Sequence, residues 1–312
     1  MLAVALRHRV MESLSASALA PWLQRRLGVE LRAITPVAGG CIHRSWQLQL
    51  ADGSRLFAKS NRADQLPLLE AERAGLAALA AWAEPPLQLP QPLALEVVGR
   101  SAVLVLSWLD LGVGRPVAQQ GWWQLGAALA RLHRASAAGN GGRGYGFEAD
   151  NFIGSAPQSN RWCPSWPRFF REARLEPQLR WAARAGRRLR GAEALLEQLP
   201  QRLGGHGCVP VLVHGDLWSG NADLLAGGGA AIFDPACHWG DREVDLAMAR
   251  LFGGFPPAFF AGYEQAWPLP AGAAARVPLY NLYHLLNHAN LFGGGYWQQA
   301  QASLEALLAS PG

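Results

Sequence analysis

The segment "HGDLWSGN" (214–221) follows the apolar run "VLV" (211–213), and Asp234 stands thirteen residues beyond Asn221 at the end of "AAIFD" (230–234). A short buried strand, a loop with Asp and Asn five apart, and a second strand ending in Asp form a pattern with definite chemistry. Phosphoryl transfer needs a carboxylate that orients an attacking hydroxyl and accepts its proton. It also needs hard oxygen ligands for Mg²⁺, which carboxylate and amide groups supply. Asp216, Asn221 and Asp234 suit these three tasks in that order, with His214 at the head of the loop as structural support. The competing structural reading is a turn rich in Asx caps.

The protein-kinase catalytic loop has the same Asp-to-Asn spacing, and that plan requires a strand lysine for the phosphates and a helical glutamate to hold it. Among 28 basic residues Lys occurs once, at Lys59, and the other 27 are Arg. An ammonium is a compact point charge and a guanidinium a broad fork, so a narrow slot selects the former. "RLFAKSN" (55–61) reads as an apolar strand ending in Lys59. On the following helix, expected over 66–82, Glu72 precedes Leu76 by four and Leu79 by seven, on or beside the packed face; Glu70 is the runner-up. "AGGCIH" (38–43) lies where a phosphate-covering loop belongs, with Gly39 and Gly40 letting backbone N–H groups approach an anion and Cys41 at its tip. "LVLSWLDL" (104–111) lies between the two parts of the chain, where backbone groups of Ser107, Trp108 and Leu109 would pair with adenine.

Working outward, strands are expected at 31–38, 41–50, 54–60, 93–97 and 101–109, with hairpins at Asp52-Gly53 and Gly99-Arg100. Helices are expected at 13–27, 118–137, 166–184, 192–203, 242–252, 256–267, 274–292 and 296–309. The organisation is α+β: a β-rich N-terminal part with one main internal helix (1–107) for the nucleotide, and an α-rich C-terminal part (108–312) for catalysis and substrate. Half of the 312 residues are hydrophobic and 16% charged, which excludes disorder. No run approaches the roughly 18 apolar residues of a membrane span, and "MLAVALRHRV" has too short an apolar core for a signal peptide. Four scattered cysteines without a CxxC pair indicate neither a disulfide framework nor a zinc knuckle, so a cytoplasmic location is expected. The net charge of +5 is dispersed, its densest cluster being "RAGRRLR" (184–190), and nucleic acid is not expected as a partner.

The chain resembles the fructosamine/ketosamine-3-kinase family, within the aminoglycoside-phosphotransferase-like branch of the protein-kinase-like fold. The resemblance rests on "GGCIH", "LFAKSN", "EAERAGLAAL", "NFIGSAPQSNRWCPSWPRFFREARLEPQL" (151–179), "HGDLWSGN", "IFDPACHWGDREVDLAMARLFGGFP" (232–256) and "LYNLYHLLNHANLFGGGY" (279–296), in order along nearly the whole chain. It implies a bilobal enzyme that uses ATP and Mg²⁺ to phosphorylate O3 of ribulosamine-, erythrulosamine- or fructosamine-type adducts, free or on protein lysines. The family's 3-phosphates eliminate and release the amine, so deglycation repair is the implied role. The resemblance makes Asp216 the catalytic base, Asn221 and Asp234 the metal ligands, and Lys59 with Glu72 the phosphate-positioning pair. Asp245 in "GDREVDLAM" resembles the helix Asp that anchors the catalytic loop through backbone N–H groups. His43 stands where Asn or Ser is commoner in the family, and His238 where Tyr or Phe is usual.

For substrate recognition, Trp218 beside the base stacks on a sugar face or simply packs. Gln158 and Asn160 bond sugar hydroxyls or satisfy loop backbone, and His288 faces the pocket or sits in the core. Two other functions compete: a kinase of another small hydroxyl acceptor (an aminoglycoside or choline-like alcohol), and a silent nucleotide-binding protein. Lys59, Asp216 and Asp234 together speak against the second. A monomer is expected, with a disulfide between two copies through Cys41 as the route to a redox-linked dimer.

Overall fold

The computed structural model describes residues 14–38, 42–112 and 119–310. Gly39, Gly40 and Cys41 lie outside the described residues. The chain divides into two compact units, one extending to Arg73 and including Pro90–Leu109, the other formed by Ala74–Leu89 and the chain from Asp110 onward.

In the N-terminal unit, helix α1 (Ala16–Leu27) precedes strands β1 (Leu31–Val37), β2 (Arg44–Leu50) and β3 (Arg55–Arg62). Helix α2 (Leu66–Ala80), whose first part lies in this unit, and the short β4 (Leu87–Gln88) of the other unit lead to β5 (Pro92–Val98) and β6 (Ser101–Ser107). The five long strands form an antiparallel sheet in the order β1-β2-β3-β6-β5. Their sequences dictate the layering. Along β2, Trp46, Leu48 and Leu50 alternate with less buried residues, as one packed face requires. In β6 all of Ala102–Leu106 is buried, as expected for a strand covered on both faces. Leu19, Trp22 and Leu23 of α1 pack with Trp46, Leu48, Ala58, Val103 and Val105. Trp22 donates to Glu96 at 2.6 Å, so the buried indole is satisfied. Lys59 lies inside β3 rather than at its end, opposite Leu104 and Ser45, because the strand continues to Arg62.

In the C-terminal unit, α3 (Gln119–Gly139) is followed by the hairpin β7 (Asn151–Ile153) and β8 (Ala156–Gln158). Then come α4 (Trp166–Phe169), α5 (Glu176–Arg184) and α6 (Ala192–Leu203). Four short strands, β9 (Val211–Val213), β10 (Ala222–Leu224), β11 (Ala230–Ile232) and β12 (His238–Gly240), carry the loops of interest. Helices α7 (Glu243–Met248), α8 (Pro257–Ala266), α9 (Ala273–Phe292) and α10 (Tyr296–Ala309) complete the unit. Strand β4 runs parallel to β11, with Leu87 opposite Ala230, which ties residues 74–89 into this unit.

Two expected helices take a different form. The continuous helix expected over 166–184 is interrupted by a π-helical turn at Phe170–Leu175. That wider turn accompanies burial of Arg174, whose guanidinium donates to Ser159 O at 2.6 Å. The helix expected over 242–252 ends at Met248, and Phe255 N turns back to Ala249 O. The hairpin β7–β8 and strands β4 and β12 are too short to carry a periodic signature.

Helices α3 and α8 approach closely at Gly126, where an added Cβ would stand 1.9 Å from Phe259 O. Neither backbone can yield without disturbing a helix, so Gly126→Ala is expected to cost about 2–3 kcal/mol. Urea denaturation checks this; an unchanged midpoint contradicts it.

Candidate active site

Within the N-terminal unit, β3 and the first part of α2 bring Lys59 and Glu72 together. Lys59 Nζ donates to Glu72 Oε1 at 2.7 Å, and the residues are only 5% and 7% exposed. Glu72, not Glu70, is the partner, since Glu70 lies on the exposed side of α2. At the end of β6, Ser107 N already donates to Gln91 O and Ser107 Oγ accepts from Gln91 N, so the Ser107 N–H serves the strand rather than a base. Trp108 packs against Phe57 and beneath the Arg55 guanidinium, and Leu109 follows at the edge of this unit. Asn61 Nδ2 donates to Ile42 O at 3.2 Å and contacts His43 Nδ1 at 3.0 Å, which fixes the end of the loop leading into β2.

Within the C-terminal unit, strand register explains why residues 13 apart in sequence meet. Strands β10 and β11 pair with Ala222 opposite Ile232, and the ladder extends through Phe233 N to Asn221 O. Asn221 at the entrance of the hairpin and Asp234 just past its exit are therefore neighbours. Asn221 Nδ2 donates to Asp216 O at 2.9 Å and Asp216 Oδ2 at 3.2 Å. With the amide nitrogen committed to Asp216, the Asn221 oxygen is the group left to face a cation. Asp234 has φ 58°, a left-handed conformation that Asp tolerates better than most residues but that still costs about 1 kcal/mol. Such strain persists where surrounding structure imposes it.

The 214–221 loop is suspended from a buried carboxylate. Asp245 on α7 accepts from His214 N at 2.7 Å and Gly215 N at 2.8 Å, and contacts His133 Nε2 at 3.2 Å. Burial alone would raise the Asp245 carboxyl, but the His133 bond and charge and the Gly215 N–H hold it below its ordinary value. Gly215 has φ 80°, and a Cβ there would meet Ala236 O at 2.2 Å, so the turn admits glycine alone. Burial lowers His214, which keeps the ring neutral. Its Nδ1 then accepts from Asp216 N (3.3 Å) while Nε2–H donates to Phe233 O (2.9 Å), so one imidazole links the 214–221 loop to the strand that ends in Asp234. Burial, reinforced by Asp234, pushes the Asp216 carboxyl up to about 7. Such a shift suits a group that exchanges protons near neutrality.

The residues expected at a substrate are placed differently from one another. Trp218 is partly exposed and lies over Gly220, at the rim of the loop. Gln158 and Asn160 are buried and engaged from within. Gln158 donates to Asn151 Oδ1 and Ala236 O and accepts from Tyr283 OH. Asn160 donates to Ala149 O and Asn151 Oδ1 and accepts from Arg174 Nη2. These bonds match the loop-satisfying reading of both residues. His288 donates to His284 O and sits among the rings of Phe252, Phe292 and Tyr296. His238 is buried neutral, stacked on Phe169. The residue that sequence reasoning missed is Arg174, a fully buried cation at the centre of this network, stacked 4.6 Å from the Phe169 ring. Its only trace was membership of the "FFREARL" stretch.

The sequence pattern of the fructosamine kinase family matches residues 16–310. A "Probable ketoamine kinase" of Synechocystis is 44% identical over 273 residues, covering 87% of this chain and 89% of its own. A "Probable ketoamine kinase" of Escherichia coli is 40% identical over 291 residues, covering 92% and 97%. A Thermobifida fusca crystal structure, provisionally assigned as a fructosamine-3-kinase, superposes with a TM-score of 0.81 at 32% identity, covering 95% of this chain and 100% of that one. The aminoglycoside phosphotransferase APH(4)-Ia, solved with AMP-PNP and hygromycin B, is 16% identical with a TM-score of 0.63 over 93% of this chain and 98% of its own, a likeness of fold. The fold is thus that of the protein-kinase-like phosphotransferases, sheet-rich in its N-terminal part and helical in its C-terminal part.

The raised Asp216 has a thermodynamic consequence. Its folded value lies above its unfolded one, so the native state loses stability relative to an uncharged side chain as pH rises from about 4 to about 7. In buffer with a chelator, the Tm advantage of Asp216→Asn over wild type is expected to widen across that window and level off above it. Thermal melts at several pH values check this; a constant difference contradicts it.

Proposed function

The chain belongs to the fructosamine kinase family, and on that basis we propose that it transfers the γ-phosphoryl group of ATP, with Mg²⁺, to O3 of a ketosamine. The family makes it a phosphotransferase acting on a hydroxyl group, with ATP as the implied donor. The observation that carries the finer reading is the grouping of half-buried Asp216 and buried Asn221, on a loop hung from Asp245, with half-buried Asp234 at the end of β11.

In this reading Asp216 accepts the proton of the attacking O3 hydroxyl. The O3–phosphorus bond forms as the bond from phosphorus to the β-phosphate oxygen breaks, and ADP leaves. Asn221, through its side-chain oxygen, and Asp234, through its carboxylate, form a hard-oxygen donor set of the kind Mg²⁺ takes. When bound, Mg²⁺ neutralises phosphate charge and orients the triphosphate. Lys59, held by Glu72, supplies a fixed positive charge to the phosphates. Little covalent chemistry falls to the protein, so its contribution is positioning and electrostatics. Trp218 is the candidate surface for the sugar face.

The acceptors proposed are ribulosamine-, erythrulosamine- and fructosamine-type adducts, including those on protein lysines. Elimination of the 3-phosphate would then release the amine, which makes the enzyme a deglycating one acting in the cytoplasm. No helix among the described residues is long and apolar enough to cross a membrane.

An assay of ADP release with ribulose-lysine, fructose-lysine, a kanamycin-type aminoglycoside and no acceptor tests the assignment. Turnover is expected with a ketosamine; turnover with the aminoglycoside and none with either ketosamine overturns it. In the same assay Asp216→Asn is expected to keep ATP binding while kcat falls about 10²–10⁴-fold, the usual contribution of a positioned base. Lys59→Arg conserves charge but misfits the slot, and kcat/KM for ATP is expected to fall about tenfold or more. A wild-type rate for Lys59→Arg contradicts the positioning role.

A further inference from the structure

A second cluster of ligating side chains lies in the C-terminal unit, at the far end of the strand pair that carries the base loop. Strands β9 and β12 are antiparallel, with Val213 opposite His238 and Val211 opposite Gly240. His214 and Asp216 follow Val213 at one end. At the other end Asp241 follows Gly240, while His206 and Cys208 lie in the loop between α6 and β9.

One ligand atom from each of His206, Cys208 and Asp241 lies within 4.8 Å of the other two, and among the described residues no other three His, Cys, Asp or Glu side chains meet that condition. His206 Nε2 is 2.6 Å from Asp241 Oδ2. The group is braced by neighbours: Tyr280 OH donates to Asp241 Oδ2 at 2.6 Å, Glu243 N to Asp241 Oδ1 at 3.0 Å, and Tyr145 OH to Cys208 O at 2.9 Å. An outer layer of this kind orients metal ligands in known sites. A separate observation points the same way. His206 Nδ1 is buried without a hydrogen-bond partner, on a side chain only 5% exposed, although buried polar atoms are almost always paired. Burial and the nearby Asp241 push the Cys208 thiol well up, so in the metal-free protein it is a neutral thiol.

We propose that His206, Cys208 and Asp241 form a binding site for a borderline-soft divalent cation, Zn²⁺ by chemistry, distinct from the phosphate-handling residues. The donor set of imidazole nitrogen, thiolate sulfur and carboxylate oxygen suits Zn²⁺ and not Mg²⁺ or Ca²⁺, which take oxygen. Charge balances: the cation meets one thiolate and one carboxylate, the imidazole coordinates through a ring nitrogen lone pair, and the Cys208 proton goes to solvent. Three protein ligands leave a fourth position for water. The bound ion would clamp the 206–208 loop to the start of α7, the helix whose Asp245 holds the base loop.

The test uses the whole protein, stripped with EDTA and titrated with Co²⁺ as a spectroscopic substitute, then with Zn²⁺. One equivalent of Co²⁺ is expected to give a thiolate-to-metal charge-transfer band and the strong visible bands of tetrahedral cobalt, which Zn²⁺ then bleaches. Asp234→Asn is expected to retain these bands; Cys208→Ser and His206→Gln are expected to lose them. Zn²⁺ at about a hundredfold over its Kd should raise Tm by about 5 °C in wild type and not in Cys208→Ser. Circular dichroism verifies that the variants fold; if Cys208→Ser does not, His206→Gln carries the comparison. Absence of the charge-transfer band in wild type, or its persistence in Cys208→Ser, overturns the proposal.

Discussion

The constraint on which the C-terminal chemistry depends is a carboxylate with no exposure to water. Asp245 takes up the N–H groups of His214 and Gly215 and contacts His133 from α3, so a helix, a strand end and a tight turn are fixed to one another by a single side chain. An ionised group removed from water survives only with such partners. Because the turn is held there, Asp216 follows at a defined position, and because His214 reaches Phe233 O, the strand ending in Asp234 is held beside it. The raised proton affinity of Asp216 follows from that enclosure. The same burial that raises its proton affinity makes the residue a burden to the fold when ionised.

The Lys59–Glu72 pair belongs to the other unit and obeys a similar logic. Replacing a buried ion pair with well-packed apolar residues is commonly neutral or stabilising, so stability alone gives little reason to keep one. A fixed ammonium of the kind proposed to meet the phosphates would give one. In a chain whose other 27 basic residues are Arg, the one Lys occupies a buried position on a central strand. Arg174 shows the contrasting use of a buried cation. Its fork is engaged by Ser159 O, Ala173 O and Asn160, and its plane is stacked on Phe169, an arrangement that an ammonium could not reproduce.

Much of this was legible in the sequence, for reasons that separate local from tertiary information. The long strands announced themselves as apolar runs bounded by turn residues, with clear alternation in β2, and the main helices through period-3.6 patterns. The grouping of Asp216, Asn221 and Asp234 was legible because a short hairpin converts a fixed sequence spacing into proximity. The pairing of Glu72 with Lys59 was legible from the helical phase of Leu76 and Leu79. The network around Gln158 and Asn160 was not, because it depends on Arg174 arriving through a π-helical turn that no periodicity reveals. The His206, Cys208 and Asp241 cluster has no CxxC-like spacing; it exists only because β9 and β12 pair in one register. The membership of residues 74–89 in the C-terminal unit likewise rests on tertiary contacts, the packing of Leu79 and Leu87 with Leu129, Leu212 and Ile232 and the two-residue parallel pairing between β4 and β11.

The account stands or falls on where the phosphoryl group goes. Phosphorus NMR of a reaction containing ATP, Mg²⁺ and ribulose- or fructose-lysine follows it directly. The account predicts a new phosphomonoester resonance coupled to the proton on sugar carbon 3, appearing as ATP is converted to ADP and then giving way to inorganic phosphate as the amine is released. A phosphomonoester coupled to a different sugar position, or conversion of ATP to ADP and inorganic phosphate at the same rate with and without the ketosamine, would contradict it.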